Sequence, residues 1–171
     1  MGKDGGWKTY FHDTRRYADL INGVGCYGKQ IVKETDLQEE DVTAKDKSRD
    51  ILRKVAFGTS FVIVGIENQE ERDYSLPLRN MFYDVSNYEK QASKIRKEVR
   101  KETNLEAGEY MYGFKKDSKL HPLATFVLYA GKEPWETPNS LHDMLDFTDV
   151  LEELRDIVSD YKINVIDIRK F

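Results

Sequence analysis

The continuous apolar run in "TSFVIVGIEN", residues 59–68, constrains the fold more than any other part of the sequence. Its β-branched residues and continuous apolarity are typical of a strand that is covered on both faces. The preceding segment, "RDILRKVAFG", predicts a neighbouring strand, and Gly58 at its end predicts a hairpin turn between the two. A doubly covered strand of this kind favours a sheet with helices packed against it.

A long helix is predicted to begin near Pro77, which fits a first-turn position. From there apolar residues recur at steps of three and four, which is the spacing of one helical face. The predicted apolar face consists of Leu78, Phe82, Val85, Ala92, Ile95 and Val99. Charged residues fill the far side of the helix, so the apolar face is expected to pack on the sheet.

Shorter patterns complete the order of elements. Helices are predicted in "DTRRYADLINGVG", with Asp13 or Thr14 as its cap, and in "SLHDMLDF" and "TDVLEELRDIV", each with a Ser or Thr cap. Strands are predicted in "KQIVKETDL", "HPLATFVLYAG" and "KINVIDI", "QEEDVTAKDKS" is predicted to be a loop, and "NLEAGEYMYGF" stays open. Together these elements predict an α/β mixed central sheet flanked by helices, formed by a single domain over residues 11–171 after a flexible tail over residues 1–10.

The composition limits the classes of protein to consider. The chain has 27 basic and 31 acidic residues, and a net charge of −4 is not typical of a nucleic-acid binder, although a local basic patch matters more than the sum. Cys26 is the only cysteine, which excludes an internal disulfide and suggests a reducing compartment. Neither a signal peptide nor a membrane-spanning apolar run is visible. We therefore expect a soluble cytoplasmic protein of a bacterium or a phage-infected cell.

Acidic residues stand at the ends of the two predicted hairpin strands. Asp50 opens the first strand and Glu67 closes the second, with Gln69 two residues further on. If the strands pair across Gly58, the two acids at the sheet edge can share a hard divalent cation through oxygen ligands. Bound Mg²⁺ can polarise a phosphodiester and lower the pKa of an attacking water. Taken alone, the pair has a simpler interpretation, because acids at strand ends are mostly solvated or paired with a nearby lysine.

Several motifs resemble the Rpn family of recombination-promoting nucleases and transposase-like proteins, which belongs to the PD-(D/E)XK nuclease superfamily. The resemblance runs from about "RRYADLINGVGCYGKQIVK" to "DYKINVIDI" and includes, in order, "ADLINGV", "IENQ", "PLRNMFYD", "YEKQ", "EPWETPNSLHDML" and "VSDYKINV". Such nucleases place an Asp on one strand and E-x-K or E-x-Q on the next. The resemblance implies a PD-(D/E)XK (restriction-endonuclease-like) fold and a mobile-element or recombination-promoting function.

The resemblance implies a catalytic site of Asp50, Glu67 and Gln69, in which Asp50 and Glu67 hold Mg²⁺, or Mn²⁺ in its place. The implied activity is that of a DNA endonuclease, which hydrolyses a phosphodiester with a metal-activated water. Gln69 stands where many members of the superfamily have lysine. Because the amide supplies hydrogen bonds but no charge, slow turnover is expected. Arg49 stands where the superfamily motif has proline.

Further residues are candidates for supporting roles. The resemblance suggests Asp19 as an additional acid of the site. On the long helix, Arg79 and Tyr83 lie about one turn apart, and with Tyr88 and Gln91 they could meet DNA phosphates or support the carboxylates. The basic residues that are candidates for DNA contacts are Lys94, Lys97, Arg100 and Lys101. The competing interpretations are a surface ion pair for Arg79 and a solvated face for the basic run, with which Glu98 and Glu102 interleave.

Two functions are open at this level. The first is the nuclease, with DNA as its partner and a homodimer as its expected assembly. The second is a catalytically silent nuclease-fold module that acts as a phage- or mobile-element-borne regulator or inhibitor by binding protein or DNA, which the net charge of −4 fits a little better. Metal binding discriminates between the two, because only a metal site is stabilised by Mg²⁺ or Mn²⁺.

Overall fold

The computed structural model describes residues 10–39, 51–55, 60–66, 73–129 and 131–167. Five strands form one sheet in the order β1-β2-β3-β4-β5. The strands are β1 (Leu37–Glu39), β2 (Ile51–Val55), β3 (Ser60–Ile66), β4 (Leu123–Tyr129) and β5 (Asn164–Asp167). The predicted α/β architecture with a mixed sheet is confirmed.

The sheet changes from antiparallel to parallel pairing at β3. β1 pairs antiparallel with β2, and β2 pairs antiparallel with β3. β3, β4 and β5 run parallel to one another. The predicted pairing of the two hairpin strands is therefore confirmed, although Gly58 itself lies outside the described residues. Parallel neighbours need a crossover connection, and the crossover from β3 to β4 contains the long helix.

Helix α1 (Thr14–Leu20) begins at the predicted cap. The Asp13 side chain accepts a hydrogen bond of 3.0 Å from the backbone N–H of Arg16, and this bond lowers the pKa of the Asp13 carboxyl. The helix continues into one wide π-helical turn, Ile21–Gly25. The glycines of "INGVG" thus stand in the turn that ends this helical segment.

Asn22 in that turn holds the extended segment that leads towards β1. Its side-chain amide donates to the Val32 carbonyl at 2.8 Å and to Gln30 Oε1 at 3.3 Å. Its side-chain oxygen accepts from the backbone N–H groups of Ile31 at 3.0 Å and Val32 at 2.8 Å. The buried amide of Asn22 thus forms hydrogen bonds with the backbone groups of this segment, as a neighbouring strand would in a sheet.

The prediction of a strand over "KQIVKETDL" is only partly correct. A 3₁₀ turn, Glu34–Asp36, interrupts the segment, and the Asp36 carboxylate accepts the backbone N–H of Lys33 at 3.0 Å. β1 begins only at Leu37 and includes Gln38 and Glu39, which were predicted to belong to a loop. The pairing of β1 with β2 extends the strand beyond what its own sequence indicates, because a partner satisfies its backbone groups.

One face of the sheet packs against α1. Alternation along β4 places Phe126 and Leu128 on this face, where they meet Tyr17 and Ile21 of the α1 segment. The buried residues of this core are Phe11, Tyr17, Ala18, Ile21, Val32, Leu37, Phe126, Leu128 and Ile166. Leu20 of α1 is partly buried at the margin of this core.

Helix α2 (Leu76–Val99) covers the opposite face of the sheet. Leu76 is buried in its first turn and packs with Val127 and Ile163, and Pro77 stands beside it as predicted. The predicted long helix is confirmed. In its second half Ala92 and Val99 are buried, in agreement with the predicted apolar face.

In the first half of α2 the predicted packing face is wrong. The buried residues are Asn80, Asp84 and Asn87, whereas Leu78, Phe82 and Val85 are 50%, 67% and 55% exposed. The helix therefore turns a polar stripe towards the sheet and an apolar stripe outwards. One physical reason is that the sheet side supplies two hydrogen-bond donors for Asp84, the central residue of the polar stripe, as described below.

The segment "NLEAGEYMYGF", left open above, contains helix α3 (Ala107–Tyr112). Glu106 and Glu109 form a reciprocal capping box at its start. The helix ends at Gly113, whose φ of +67° is in the left-handed region. A Cβ at this position would lie 2.8 Å from Cγ of Arg96, so glycine also permits the close approach to α2.

The two short helices predicted before β5 are shorter than expected. They are a 3₁₀ turn, His142–Met144, and α4 (Glu152–Arg155). Ser140 does act at the first of them: its hydroxyl accepts the Asp143 N–H at 3.2 Å, and its own N–H donates to the Asp143 carboxylate at 2.9 Å. Thr148 is not a helix cap. Its hydroxyl and N–H bind the Asp146 carboxylate in a tight turn, which delays the helix start.

Candidate functional site

The three residues predicted to form the catalytic site, Asp50, Glu67 and Gln69, lie outside the described residues. Their neighbours in the chain are described, because Ile51 begins β2 and Ile66 ends β3. The positions of Ile51 and Ile66 in the sheet therefore show at which side of the sheet the chain leads to the predicted residues.

The strand register brings the beginning of β2 and the end of β3 to the same side of the sheet. Ile51 lies opposite Ile63, which is three residues, or about 10 Å along the strand, before Ile66. In the parallel pairs, Ile66 aligns with Tyr129 and Tyr129 aligns with Asp167. We call this side, formed by the start of β2 and the ends of β3, β4 and β5, the carboxyl edge.

The loop after β4 is fixed against the carboxyl edge by aromatic residues. The hydroxyl of the buried Tyr129 donates to the Glu133 carbonyl at 2.5 Å. The ring of Trp135 packs edge-to-face on Tyr129 at a centroid distance of 5.1 Å, and its Nε1 donates to Asn139 Oδ1 at 2.8 Å. These contacts make the middle of the edge a well-packed support.

Asp167 is an acid at this edge that the sequence reasoning missed. It is the last residue of β5 and is buried beside the end of β4. Its signal in the sequence is an acid at the end of a predicted strand, which is the same signal that indicates Glu67 at the end of "FVIVGIE". The edge thus holds a buried carboxyl, and the strand ends Ile51 and Ile66, which are the chain neighbours of the two predicted acids, lie on the same side of the sheet.

Arg79 and Tyr83 lie on the first turns of α2. The guanidinium of Arg79 forms an ion pair of 2.6 Å with Asp73, which supports the simpler interpretation of this residue. Tyr83 is half-buried, and its ring meets Phe82 edge-to-face at 6.0 Å. Neither contact assigns a catalytic role to these residues.

Tyr88 and Gln91 have structural roles. The Tyr88 hydroxyl accepts the backbone N–H of Leu123 at 3.1 Å. The Gln91 side chain accepts the backbone N–H of His121 at 2.8 Å and donates to its carbonyl at 3.3 Å. Both residues tie α2 to the beginning of β4, which is the end of the strand opposite to the carboxyl edge.

Asp19 is exposed on α1 and lines an open pocket of about 330 Å³. The lining residues are Arg15, Ala18, Asp19, Gln30, Val32, Lys33 and Glu34. This segment continues into β1, where Leu37 pairs with Val55. Val55 is the end of β2 farthest in the chain from Asp50, and the segment that lines the pocket leads into β1 at this end of β2.

The basic run of α2 lies far from the carboxyl edge. Leu76, which packs near that edge on Val127, and Arg100 are separated by about 36 Å along the helix axis. Lys101 pairs with Glu98 at 2.6 Å. The exposed cations of the run without an ion-pair partner among the described residues are Lys94, Lys97 and Arg100. The structure therefore leaves three of the four predicted basic residues available to an anionic ligand and places them away from the carboxyl edge.

A buried polar cluster on the inner face of α2 was also missed. Asp84 accepts hydrogen bonds from the hydroxyls of Thr125 at 2.8 Å and Tyr161 at 2.5 Å. One carboxylate thus connects α2, β4 and the segment before β5. Asn80, one turn earlier, is fully buried, and its amide atoms have no hydrogen-bond partner within the described ranges. The signal that could have revealed this face is the polar spacing of Asn80, Asp84 and Asn87 at helical steps.

Tyr161→Phe is expected to lower the free energy of unfolding by about 1.5–3 kcal/mol, because it removes a hydrogen bond to a buried carboxylate. Urea denaturation measures this change. Tyr112→Phe, which alters an exposed tyrosine of α3, is the matched control and should leave the stability within about 0.5 kcal/mol of wild type. Equal stability of the two variants would contradict the importance assigned to the Asp84 cluster.

The model of the family described as "Putative transposase, YhgA-like" matches residues 38–171. The chain belongs to this family. The family that the sequence motifs indicated is thereby confirmed. No curated protein and no solved structure matches the chain. The matched part of this YhgA-like chain contains β2 to β5 and all of β1 but its first residue, Leu37. Helix α1, which carries Asp19, precedes the matched part.

Within the described ranges of this YhgA-like protein, none of the helices has the length and apolarity that crossing a membrane requires. Within the same ranges, no three or more His, Cys, Asp or Glu side chains are grouped so that they could hold a metal ion. Asp50 and Glu67 fall outside the residues to which the second statement applies.

Proposed function

We propose that this YhgA-like protein is a Mg²⁺-dependent DNA endonuclease of a mobile-element type, with a PD-(D/E)XK fold. The observation that carries the proposal is the antiparallel register of β2 and β3. Asp50 directly precedes β2 and the triplet "ENQ" directly follows β3, which is the arrangement of an Asp on one strand and E-x-Q on the next. The family description as transposases supports DNA as the substrate.

The chemistry proposed for the site is phosphodiester hydrolysis. Asp50 and Glu67 would hold the metal, because carboxylate oxygens are the ligands that Mg²⁺ and Mn²⁺ prefer. The metal, when bound, lowers the pKa of a coordinated water and polarises the phosphodiester. Gln69 orients the attacking water or a phosphate oxygen by hydrogen bonds. The water oxygen bonds to phosphorus as one phosphorus–oxygen ester bond breaks, leaving a phosphate and a hydroxyl end.

The rate of this reaction is expected to be low. Gln69 is neutral, so it provides no positive charge for the negative charge that develops at phosphorus. Arg79 would approach the phosphates from the first turns of α2, but its charge is already compensated by Asp73 at 2.6 Å. If the negative charge at phosphorus is not stabilised, the protein would bind the metal without cleaving DNA and would be the silent binding module. Metal binding and cleavage therefore have to be measured separately.

DNA contacts outside the catalytic site are proposed at Lys94, Lys97 and Arg100, which are exposed on α2. A duplex bound at the carboxyl edge would have to extend about 36 Å along α2, or roughly ten base pairs, to reach Arg100. Contacts of this kind are with phosphates and add affinity without sequence preference.

Mg²⁺ and Mn²⁺ are expected to stabilise the folded protein, because a ligand that binds only the native state shifts the folding equilibrium. At a metal concentration about 100 times the dissociation constant, the gain is about 2.7 kcal/mol, which raises the melting temperature by roughly 5–10 °C for a chain of this size. Differential scanning calorimetry with either metal or EDTA measures the shift.

The control for this experiment is a variant that lacks a carboxylate outside the proposed metal site. Glu67→Ala should abolish the metal-dependent shift, whereas Glu152→Ala, at an exposed position of α4, should retain it. A wild type that no divalent metal stabilises would contradict the metal site and favour the silent binding module. Stabilisation that Glu67→Ala does not change would place the metal elsewhere.

A further inference from the structure

The segment that contains α4, residues 145–158, exposes several large apolar side chains. We call this segment the acidic loop, because of the charge described below. Leu151, Leu154 and Ile157 are 67%, 48% and 75% exposed. Their spacing of three residues, in and beside α4, places them on one side of the helical turn. The acidic loop therefore presents a row of apolar side chains on its outer surface.

The acidic loop is fixed at its base by His142. The Nε2–H of His142 donates to the Val158 carbonyl at 2.8 Å, and its backbone N–H donates to the Asp160 carboxylate at 3.0 Å. The His142 ring meets Phe147 edge-to-face at a centroid distance of 5.2 Å, and the guanidinium of Arg155 lies 4.7 Å from the centroid of the same Phe147 ring. A loop that is ordered before it binds loses little conformational entropy on association.

The acidic loop is strongly negative. Its fourteen residues include five acids and one basic residue, Arg155, which gives a net charge of −4, the same as that of the whole chain. Asp146 binds the hydroxyl of Thr148 within the loop. The other acids are exposed and have no ion-pair partner among the described residues: Asp149, Glu152, Glu153 and Asp156. Their charges are therefore available to a partner.

The apolar row and the negative charge together decide which class of partner fits the acidic loop. Nucleic acids and anionic membranes do not fit, because the carboxylates repel their phosphate groups. A fitting partner supplies apolar side chains for the row and positive charges for the acids that flank it. An amphipathic helix with lysines or arginines beside its apolar face supplies both, since its apolar anchors recur at steps of three and four.

We propose that the acidic loop binds a basic amphipathic helix of another protein. The apolar face of that helix packs on Leu151, Leu154 and Ile157, and its cations lie beside the flanking acids. A single helix on three apolar anchors forms an interface of the small, transient class, so a dissociation constant in the micromolar range is expected.

The proposed binding site is separate from the proposed nuclease site. Ser140 forms a bridge with Lys162, which places both ends of the loop near the beginning of β5. The carboxyl edge contains the opposite end of β5, at Asp167. The proposal therefore stands independently of the nuclease proposal, and its test needs neither metal nor DNA.

The probe for this proposal is a synthetic peptide of about 18 residues, a length at which an isolated helix can form. It has leucines at steps of three and four and lysines at the other positions, and it carries fluorescein. Fluorescence anisotropy with the full chain should show micromolar binding, which weakens at least about 10-fold in roughly 0.5 M salt because salt screens exposed charges. The same peptide with glutamates in place of the lysines should not bind.

The variant that tests the apolar row combines Leu151→Ser with Ile157→Ser. It should weaken binding of the lysine peptide at least about 10-fold, because two of the three apolar anchors are lost. Leu120→Ser, at a leucine that is 40% exposed outside the loop, is the matched control and should bind within about twofold of wild type. Circular dichroism establishes that each variant folds.

The position of the bound peptide is measured by amide NMR shifts of the isotope-labelled chain, which should change only in residues 141–160. Absent binding of the lysine peptide, unchanged binding by the folded double variant, or shifts confined to another surface would overturn the proposal. Sedimentation equilibrium tests a second copy as the occupant. Self-association that the double variant abolishes would assign the row to an interface between copies and would also overturn it.

Discussion

Glu67→Ala is expected to reduce metal-dependent DNA cleavage at least about 100-fold, and Asp50→Ala should have the same effect. A factor of 100 corresponds to about 2.7 kcal/mol of transition-state stabilisation, which is within the several kcal/mol that a metal ion supplies to a phosphoryl centre. Because both residues stand directly beside strand ends that share one edge of the sheet, their loss should remove one metal site. The measurement is the rate of plasmid nicking under single-turnover conditions.

Controls separate lost chemistry from lost structure in this experiment. Each alanine variant should keep the circular dichroism spectrum of the wild type, because the proposed role of both carboxylates is to bind a metal ion. Gln69→Lys should retain or raise the activity, because it adds a charge where many superfamily members have lysine. Unchanged cleavage by both Asp50→Ala and Glu67→Ala would refute the assignment of the site.

Asn22→Ala is expected to lower the free energy of unfolding by about 3 kcal/mol, which corresponds to roughly 6–12 °C in melting temperature. The side chain makes hydrogen bonds with the N–H groups of Ile31 and Val32 and with the Val32 carbonyl. The buried Val32 N–H and carbonyl lose their partner, and each unpaired group costs about 1–3 kcal/mol, whereas the Ile31 N–H keeps its hydrogen bond of 2.9 Å to the Lys29 carbonyl. Chemical denaturation measures the change.

Gln30→Ala is the matched control for the Asn22 variant. It removes only the longest of the Asn22 hydrogen bonds, at 3.3 Å, and leaves the bonds of Asn22 to the backbone of Ile31 and Val32 in place. The expected loss is within about 0.5 kcal/mol. An Asn22→Ala protein as stable as the Gln30→Ala protein would show that the segment before β1 does not depend on the amide.

The strands and their neighbours could be predicted because their signals are local. The apolar run of β3 and the flanking Gly58 predict a hairpin with β2 from adjacent residues, and the register confirms that pairing. The existence of α2 follows in the same way from the steps of three and four after Pro77. Local patterns of this kind do not depend on which distant residues the element meets.

The packed face of α2 could not be predicted from the same pattern. Counting apolar residues selects Leu78, Phe82 and Val85 as the inner face, but Thr125 and Tyr161 supply partners for Asp84 from positions 41 and 77 residues away in the chain. A buried polar group is stable where such partners exist, so distant residues decide which side of the helix turns inwards.

The candidate site was predicted unevenly for a related reason. Asp167 carries the same strand-end signal as Glu67, yet its place at the carboxyl edge depends on the parallel pairing of β5 with β4. Asp19 is suggested by resemblance alone, and the segment that lines its pocket leads into β1 at the Val55 end of β2. Sequence spacing identifies acids at strand ends, but only the order of strands in the sheet shows which of them share an edge.

The most direct test of the nuclease account is cleavage of supercoiled plasmid DNA by the wild-type chain with Mg²⁺, with Mn²⁺ and with EDTA. The account predicts slow nicking with either metal and none with EDTA, because the attacking water depends on a bound metal. A well-folded protein that nicks no DNA with either metal, or that nicks equally well in EDTA, would contradict it.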